Sequence, residues 1–215
     1  MSKSIKARER GFPMPITDIL EKNCRLYGED VCLVEINPEM PETRRVTWKE
    51  YELIEPVRAS YYRREITWNV FNEKSNRFAN LLLERGIKKG DKVAILLMNC
   101  LEWLPIYFGL LKTGALAVPL NFRYSAEEIQ YCMELAEVDV LVFGPEFIGR
   151  VEEIADSISK HRLLYYVGDG CPGFAEDYTM HSANCSSQSP RIDINDDDYA
   201  AIYFSSGTTG FPKAI

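Results

Sequence analysis

The sequence predicts an α/β fold, a mostly parallel sheet flanked by helices, and three observations carry that prediction. Apolar runs at residues 93–98, 115–120 and 138–143 have the length and composition of strands covered on both faces. Segments of helical period separate them at crossover lengths. Gly, Pro and N-capping residues punctuate the joints.

The elements follow in order. Thr17 is placed to cap a short helix whose apolar side is Ile19, Leu20 and Cys24. Val31–Ile36 reads as a strand and Asn37–Thr43, rich in Pro and Glu, as a turn. A local echo follows, R-R-V-T-W-K-E-Y at 44–51 and R-E-I-T-W-N-V-F at 64–71. Thr47 and Glu50 have capping-box spacing in the first copy, and Val70 replaces the acid in the second. Two copies fall short of a repeat array, so a local insertion or duplication accounts for them. Asn69–Arg85 reads as a helix with Val70, Phe71, Phe78, Leu81 and Leu82 on one face and Gly86 as its stop. Asp91–Met98 is a strand, and Leu101–Thr113 a helix with Pro105 in its first turn. Ala115–Leu120 is a second strand. Ser125 caps a helix to Ala136, with Glu127 and Glu128 where the dipole favours acid. Val138–Phe143, Glu146–Ser159 and Leu163–Val167 continue the strand–helix–strand alternation. Gly168–Pro190 lacks periodicity and reads as a surface connection. Tyr199–Phe204 is a new strand.

Composition excludes several classes. With 46% hydrophobic and 27% charged residues, the 215-residue chain is ordinary globular protein. Its formal charge of -7 argues against general nucleic-acid binding. The basic N-terminus has no apolar core or cleavage site, so a cytoplasmic location with reduced thiols is expected. The stretch from Leu104 to Leu120 is interrupted by Lys112 and Thr113 and is too polar for a membrane span. Six cysteines and two histidines show no zinc-type spacing, so no metal ligand is assigned.

The chemistry lies in S-S-G-T-T-G-F-P-K, Ser205 to Lys213, directly after the last strand. Gly207 and Gly210 allow a tight turn and close approach to an anion. Successive N–H groups in such a turn form a nest for phosphate oxygens. Ser205, Ser206, Thr208 and Thr209 add hydroxyl donors, Lys213 adds a cation, and Pro212 stiffens the approach to it. A conventional P-loop has Gly before the Lys and Ser or Thr after it; here Pro212 and Ala214 occupy those places. A Ser/Gly/Thr turn between two strands is the plain alternative.

The run Y-F-S-S-G-T-T-G-F-P-K-A closely resembles the signature loop of the AMP-binding, adenylate-forming superfamily. L-L-K-T-G-A-L-A-V-P-L-N-F-R-Y (110–124) resembles an upstream core motif of that group, and 86–99 the helix–turn–strand before it. The resemblance covers about residues 66–215. It implies a ligase that joins a small-molecule carboxylic acid to a thiol. ATP and the acid give an acyl-adenylate and pyrophosphate, and a thiol, commonly CoA or a carrier phosphopantetheine, then takes the acyl group. The resemblance points toward fatty-acid or aryl CoA ligases, with the fatty-acid type expected, more than toward peptide synthetase domains. Ser205, Ser206, Gly207, Thr208, Thr209, Gly210 and Lys213 would hold the β- and γ-phosphates, with Mg2+ sharing the charge.

No catalytic residue is assigned. Gly114 is expected to allow close packing, and Lys112 and Arg123 to be solvated or paired surface charges. The organisation expected is an N-terminal segment (1–65), a βα-alternating subdomain (66–170), a loop-rich connection (171–195), and a strand plus phosphate loop opening a further subdomain (196–215). The family's later motifs for adenine, ribose, acyl group and catalytic lysine are not in these residues. The chain alone is therefore expected to be inactive, with an incomplete sheet that favours self-association. Other readings are a non-catalytic interaction module, half of a split enzyme, or a phosphate-binding protein of another class, such as a kinase.

Overall fold

The computed structural model describes residues 15–36, 44–48, 51–55, 63–158, 162–205 and 212–215. Helix α1 (Ile16–Tyr27) leads into strand β1 (Val31–Ile36). Thr17 is not its cap: Pro15 occupies that position and the Thr17 side chain is buried. Leu20 fills the core, whereas Ile19 is exposed, so the helix is turned slightly from the predicted face. Strands β2 (Arg44–Trp48) and β3 (Tyr51–Glu55) form an antiparallel hairpin. Thr47 therefore lies within a strand and caps no helix. The turn expected over 37–43 lies outside the described residues, as does Glu50.

The second Thr-Trp copy behaves differently. Strand β4 (Arg63–Thr67) pairs antiparallel with β1 and runs straight into helix α2 (Trp68–Glu84). Thr67 is the N-cap, its hydroxyl accepting from Val70 N at 3.4 Å. Val70 is exposed, while Phe71, Phe78, Leu81 and Leu82 are buried. Gly86, at φ +86°, ends the helix in the left-handed region that favours glycine.

The regular part begins with β5 (Lys92–Leu96), α3 (Trp103–Leu111), β6 (Leu116–Pro119) and α4 (Ala126–Leu135). Pro105 sits in the first turn of α3, where no intrahelical donor is lost. Gly114 (φ +74°) closes against the stem of Lys89, which a Cβ would meet at 2.8 Å. Ser125 and Glu128 form a complete capping box on α4. Then come β7 (Val140–Phe143), a 3-10 turn (Pro145–Phe147), α5 (Ile148–Ile158) and β8 (Leu163–Tyr166). The stretch 168–190 is not a bare connection: it contains β9 (Glu176–Asp177) and α6 (Tyr178–Ala183), and Tyr178 and Cys185 are buried. Strands β10 (Phe204–Ser205) and β11 (Lys213–Ala214) follow.

Five strands make one parallel sheet in the order β6-β5-β7-β8-β9. Alternation along each strand sorts the core into two layers. Ala94, Leu96, Val118, Leu141, Phe143, Leu164 and Tyr166 face α4 and α5. Val93, Ile95, Ala117, Val140, Val142 and Tyr165 face α2, α3 and Tyr178 of α6. A third, smaller cluster of Leu20, Ile66 and Phe71 fastens α1 and the β1–β4 pair to α2. Among the described residues no helix is long and apolar enough to cross a membrane.

Candidate functional site

The strand expected at 199–204 is reduced to a single parallel bridge, Ala117 with Ala201. Ala117 N donates to Ala200 O at 2.9 Å, and Ile202 N donates to Ala117 O at 2.8 Å. The segment thus lies beside β6 and runs in its direction, so residues 203–205 leave at the sheet's carboxyl end. That is the edge at which parallel α/β sheets receive ligands. Its side chains alternate: Ile202 and Phe204 pack on the α4–α5 layer, and Ala201 on the other. Tyr203 meets the Tyr107 hydroxyl at 3.5 Å, and Tyr107 stacks on Trp103 with ring centroids 5.4 Å apart. Burial and that contact push the Tyr107 phenol up to about 12.

Strands β10 and β11 then pair antiparallel, with Ser205 opposite Lys213. Tyr203 and Ile215 exchange two backbone hydrogen bonds, at 3.2 and 2.8 Å. Ser205 Oγ donates to Lys213 O at 3.5 Å. The two ends of the candidate phosphate loop are therefore paired, which brings its first hydroxyl and its terminal lysine to facing positions. Lys213 is exposed and Pro212 buried. Ser206, Gly207, Thr208, Thr209 and Gly210 lie outside the described residues. A hydroxyl and an ammonium on facing strands suit a phosphate anion. Among the described residues no group of His, Cys, Asp and Glu side chains could hold a metal ion.

Sequence reasoning missed how the chain reaches this strand. From Ala183 to Ile202 it forms almost no regular structure, yet it is bonded along its length. Arg77 Nη1 donates to Ala183 O and Cys185 O at 2.8 and 2.6 Å. Asn80 Nδ2 donates to Ser186 O and Gln188 O, and Asn76 Nδ2 to Ser187 O at 2.8 Å. Ser189 Oγ donates to Glu21 Oε1 at 2.5 Å. Lys89 reaches Asp193 O at 3.1 Å and the Asp198 carboxylate at 2.5 Å. A signal was present: Asn72, Asn76 and Asn80, spaced by four, form a polar stripe along α2.

Lys112 corrects a second expectation. It is not a surface charge but 3% exposed. Its ammonium donates to Asn72 Oδ1 and Asn76 Oδ1, each at 2.7 Å, and to Glu21 Oε1 at 3.3 Å. All three of its donors are used. Desolvation lowers the Lys112 pKa against the pull of Glu21. The Glu21 carboxyl is itself held down: its hydrogen bond from Ser189 and the charge of Lys112 outweigh its own desolvation, the largest single influence on it. Arg123 does lie at the surface, with its guanidinium 5.3 Å from the Phe122 ring centre. The six thiols are free. Burial pushes Cys132 up to about 12.

A family model, AMP-binding enzyme, matches residues 54–215. The chain belongs to the AMP-binding enzyme family. The match begins upstream of residue 66, where the resemblance was traced from the motifs. This AMP-binding family chain is 36% identical over 160 residues to the crotonobetaine/carnitine–CoA ligase of Citrobacter koseri, covering 71% of this chain and 30% of that protein. The Salmonella agona protein of the same name is 36% identical over 158 residues. The chain thus spans 30% of the length of these curated relatives. Among solved structures, the anthranilate CoA ligase AuaEII in complex with anthranoyl-AMP shares the fold with a TM-score of 0.78 at 23% identity, over 96% of this chain and 35% of that one. A fatty acyl CoA synthetase of Mycobacterium tuberculosis does so with 0.70 at 22% identity, over 93% and 34%.

Proposed function

We propose that these residues are the N-terminal part of an ATP-dependent carboxylic acid–CoA ligase, of fatty-acid type and cytoplasmic. The observation that carries the proposal is the hairpin at the carboxyl end of the sheet, with Ser205 and Lys213 facing each other across its stem. In the reaction the acid's carboxylate oxygen bonds to the α-phosphorus of ATP as the bond to pyrophosphate breaks. The CoA thiol then takes the acyl group and AMP leaves. The loop from Ser205 to Lys213 binds the β- and γ-phosphates, through the hydroxyls of Ser205, Ser206, Thr208 and Thr209, the backbone at Gly207 and Gly210, and the Lys213 ammonium. Such donors, fixed before the reaction, stabilise the charge that grows on departing pyrophosphate. Magnesium, carried in as the ATP complex, supplies further neutralisation of the phosphates.

The acyl pocket and the adenine contacts belong to the remainder of such an enzyme, and residues 196–215 open the subdomain that holds them. The 215 residues alone then carry out no adenylation. Two exchange assays test this. Residues 1–215 alone show no acid-dependent ATP–pyrophosphate exchange. Fused to the part of the Citrobacter koseri ligase beyond its matching segment, they show exchange and release AMP. Exchange by the 215 residues alone would overturn the division of labour. ADP and a phosphorylated acceptor from the fusion would overturn the reaction class.

A further inference from the structure

We infer that Lys112 is a positioning residue for the phosphate loop, acting as a buried pin for the segment that delivers the loop's strand. The inference rests on the reading of residues 205–213 as a phosphate site, and deepens it. One ammonium sends two relays to the connecting segment. Through Asn76 it reaches a backbone carbonyl: Asn76 Oδ1 accepts from Lys112 at 2.7 Å, and Asn76 Nδ2 donates to Ser187 O at 2.8 Å. Through Glu21 it reaches a side chain: Glu21 Oε1 accepts from Lys112 at 3.3 Å and from Ser189 at 2.5 Å. Asn76 is 3% exposed, and its orientation is fixed by its neighbours. A flipped amide would set NH2 against the ammonium and oxygen against the carbonyl of Ser187.

The anchor itself cannot drift. Lys112 follows the last turn of α3, where Lys112 N donates to Phe108 O, and the next residues turn at Gly114 into β6. Strand β6 is the one that accepts Ile202 through Ala117. The same short stretch, 112–117, therefore holds the connecting segment at both ends: at 187–189 through side-chain relays, and at 200–202 through backbone bonds. A hydrocarbon at position 112 would keep the helix but break both relays. It would also strand the Glu21 carboxylate and two amide oxygens without their cation. With residues 183–202 holding so little regular structure of their own, loss of the pin frees the register in which Ala201 meets Ala117, and with it the stem of the hairpin.

The test is amide hydrogen exchange, by NMR and without nucleotide, on the 215-residue chain and two variants, Lys112→Met and Ser189→Ala. The reporters are the amides of Gln188, which donates to Ser186 Oγ at 3.1 Å, and of Ile202, which donates to Ala117 O at 2.8 Å; the references are amides of β7 and α4. Hydrogen bonds to a charged group are worth enough that protection at the reporters should fall about tenfold or more in Lys112→Met. In Ser189→Ala, an exposed change that touches no core side chain, it should fall by about threefold or more at Gln188 with the references unchanged. A merely structural role would lower protection at the references, through global unfolding, and leave the reporters as they were; that result overturns the inference. If Lys112→Met does not fold, unchanged reporters in Ser189→Ala overturn it. Failure of the loop to bind pyrophosphate would leave these exchange rates untouched, so the two readings fail separately.

Discussion

Replacing Gly109 by alanine pits two effects against each other, and the structure decides the sign. Gly109 lies in α3 where it crosses α2. A Cβ there would stand 2.8 Å from the Ser75 carbonyl oxygen and 3.0 and 3.1 Å from Cδ1 and Cβ of Phe78. Neither neighbour can yield. The carbonyl is helix backbone, and Phe78 is fully buried, its ring edge-on to Tyr178 at 5.4 Å and Tyr165 at 6.4 Å. Alanine favours the helix by about 1 kcal/mol over glycine. Overpacking a filled interface costs about 1–3 kcal/mol. The expected net is a loss of up to about 2 kcal/mol, as α3 is pushed off α2. Gly149 in α5 is the control, since a Cβ there meets nothing within 4 Å. Gly149→Ala should stabilise by up to about 1 kcal/mol. Urea unfolding followed by circular dichroism gives both values. A raised midpoint for Gly109→Ala, like that of Gly149→Ala, would show that the α2–α3 crossing is looser than described and refute the reasoning.

Other outcomes follow from the same geometry. Ser125→Ala removes half of the α4 capping box and should cost about 1 kcal/mol in urea unfolding; an unchanged midpoint would mean the box contributes nothing. Stability should fall as pH rises above 9. Burial raises the Cys132 thiol from 9.0, and the Tyr107 and Tyr165 phenols from 10.0, to about 12 each. The folded chain then keeps protons that the unfolded chain loses. The stabilisation is whole below the unfolded values and is lost as pH climbs toward 12, by up to about 1.4 kcal/mol per pH unit for each group. Lys112 acts in the opposite sense just below 10.5, one group against three. Urea midpoints that rise between pH 9 and 11 would contradict this. The exposed Tyr199, Tyr203 and Ile215 beside β6 should drive concentration-dependent self-association in sedimentation velocity, and a single monomer boundary at high concentration would count against it.

The central alternation was legible because each element carried its own signal. Val93–Leu96 and Val140–Phe143 are apolar on both faces and became interior strands. Ser125 and Glu128 announced α4, and Pro105 was tolerable only in a first turn. The failures share a cause, in that tertiary partners decided what local sequence left open. Thr47 and Thr67 have the same neighbour, Trp, yet one lies within a hairpin strand and the other caps α2. The second copy continues into Phe71, Phe78 and Leu82, which have a sheet to cover. Residues 183–202 have no period to read, because side chains on α2 and Lys89 satisfy their backbone in place of a ladder. Lys112 looked like a surface charge because nothing local shows that Asn72, Asn76 and Glu21 converge on it. At the candidate site the sequence shows the residue types, and the fold adds that Ser205 and Lys213 face each other at the carboxyl end of the sheet.

The most direct test of the phosphate reading is an NMR titration of the 15N-labelled 215-residue chain with magnesium pyrophosphate. Saturable shifts confined to amides from about 203 to 215, abolished by Lys213→Ala while the Tyr203 and Ile215 amides keep their free-state positions, are the predicted result. Saturable shifts centred elsewhere, or shifts at the hairpin that survive loss of the lysine, would contradict it.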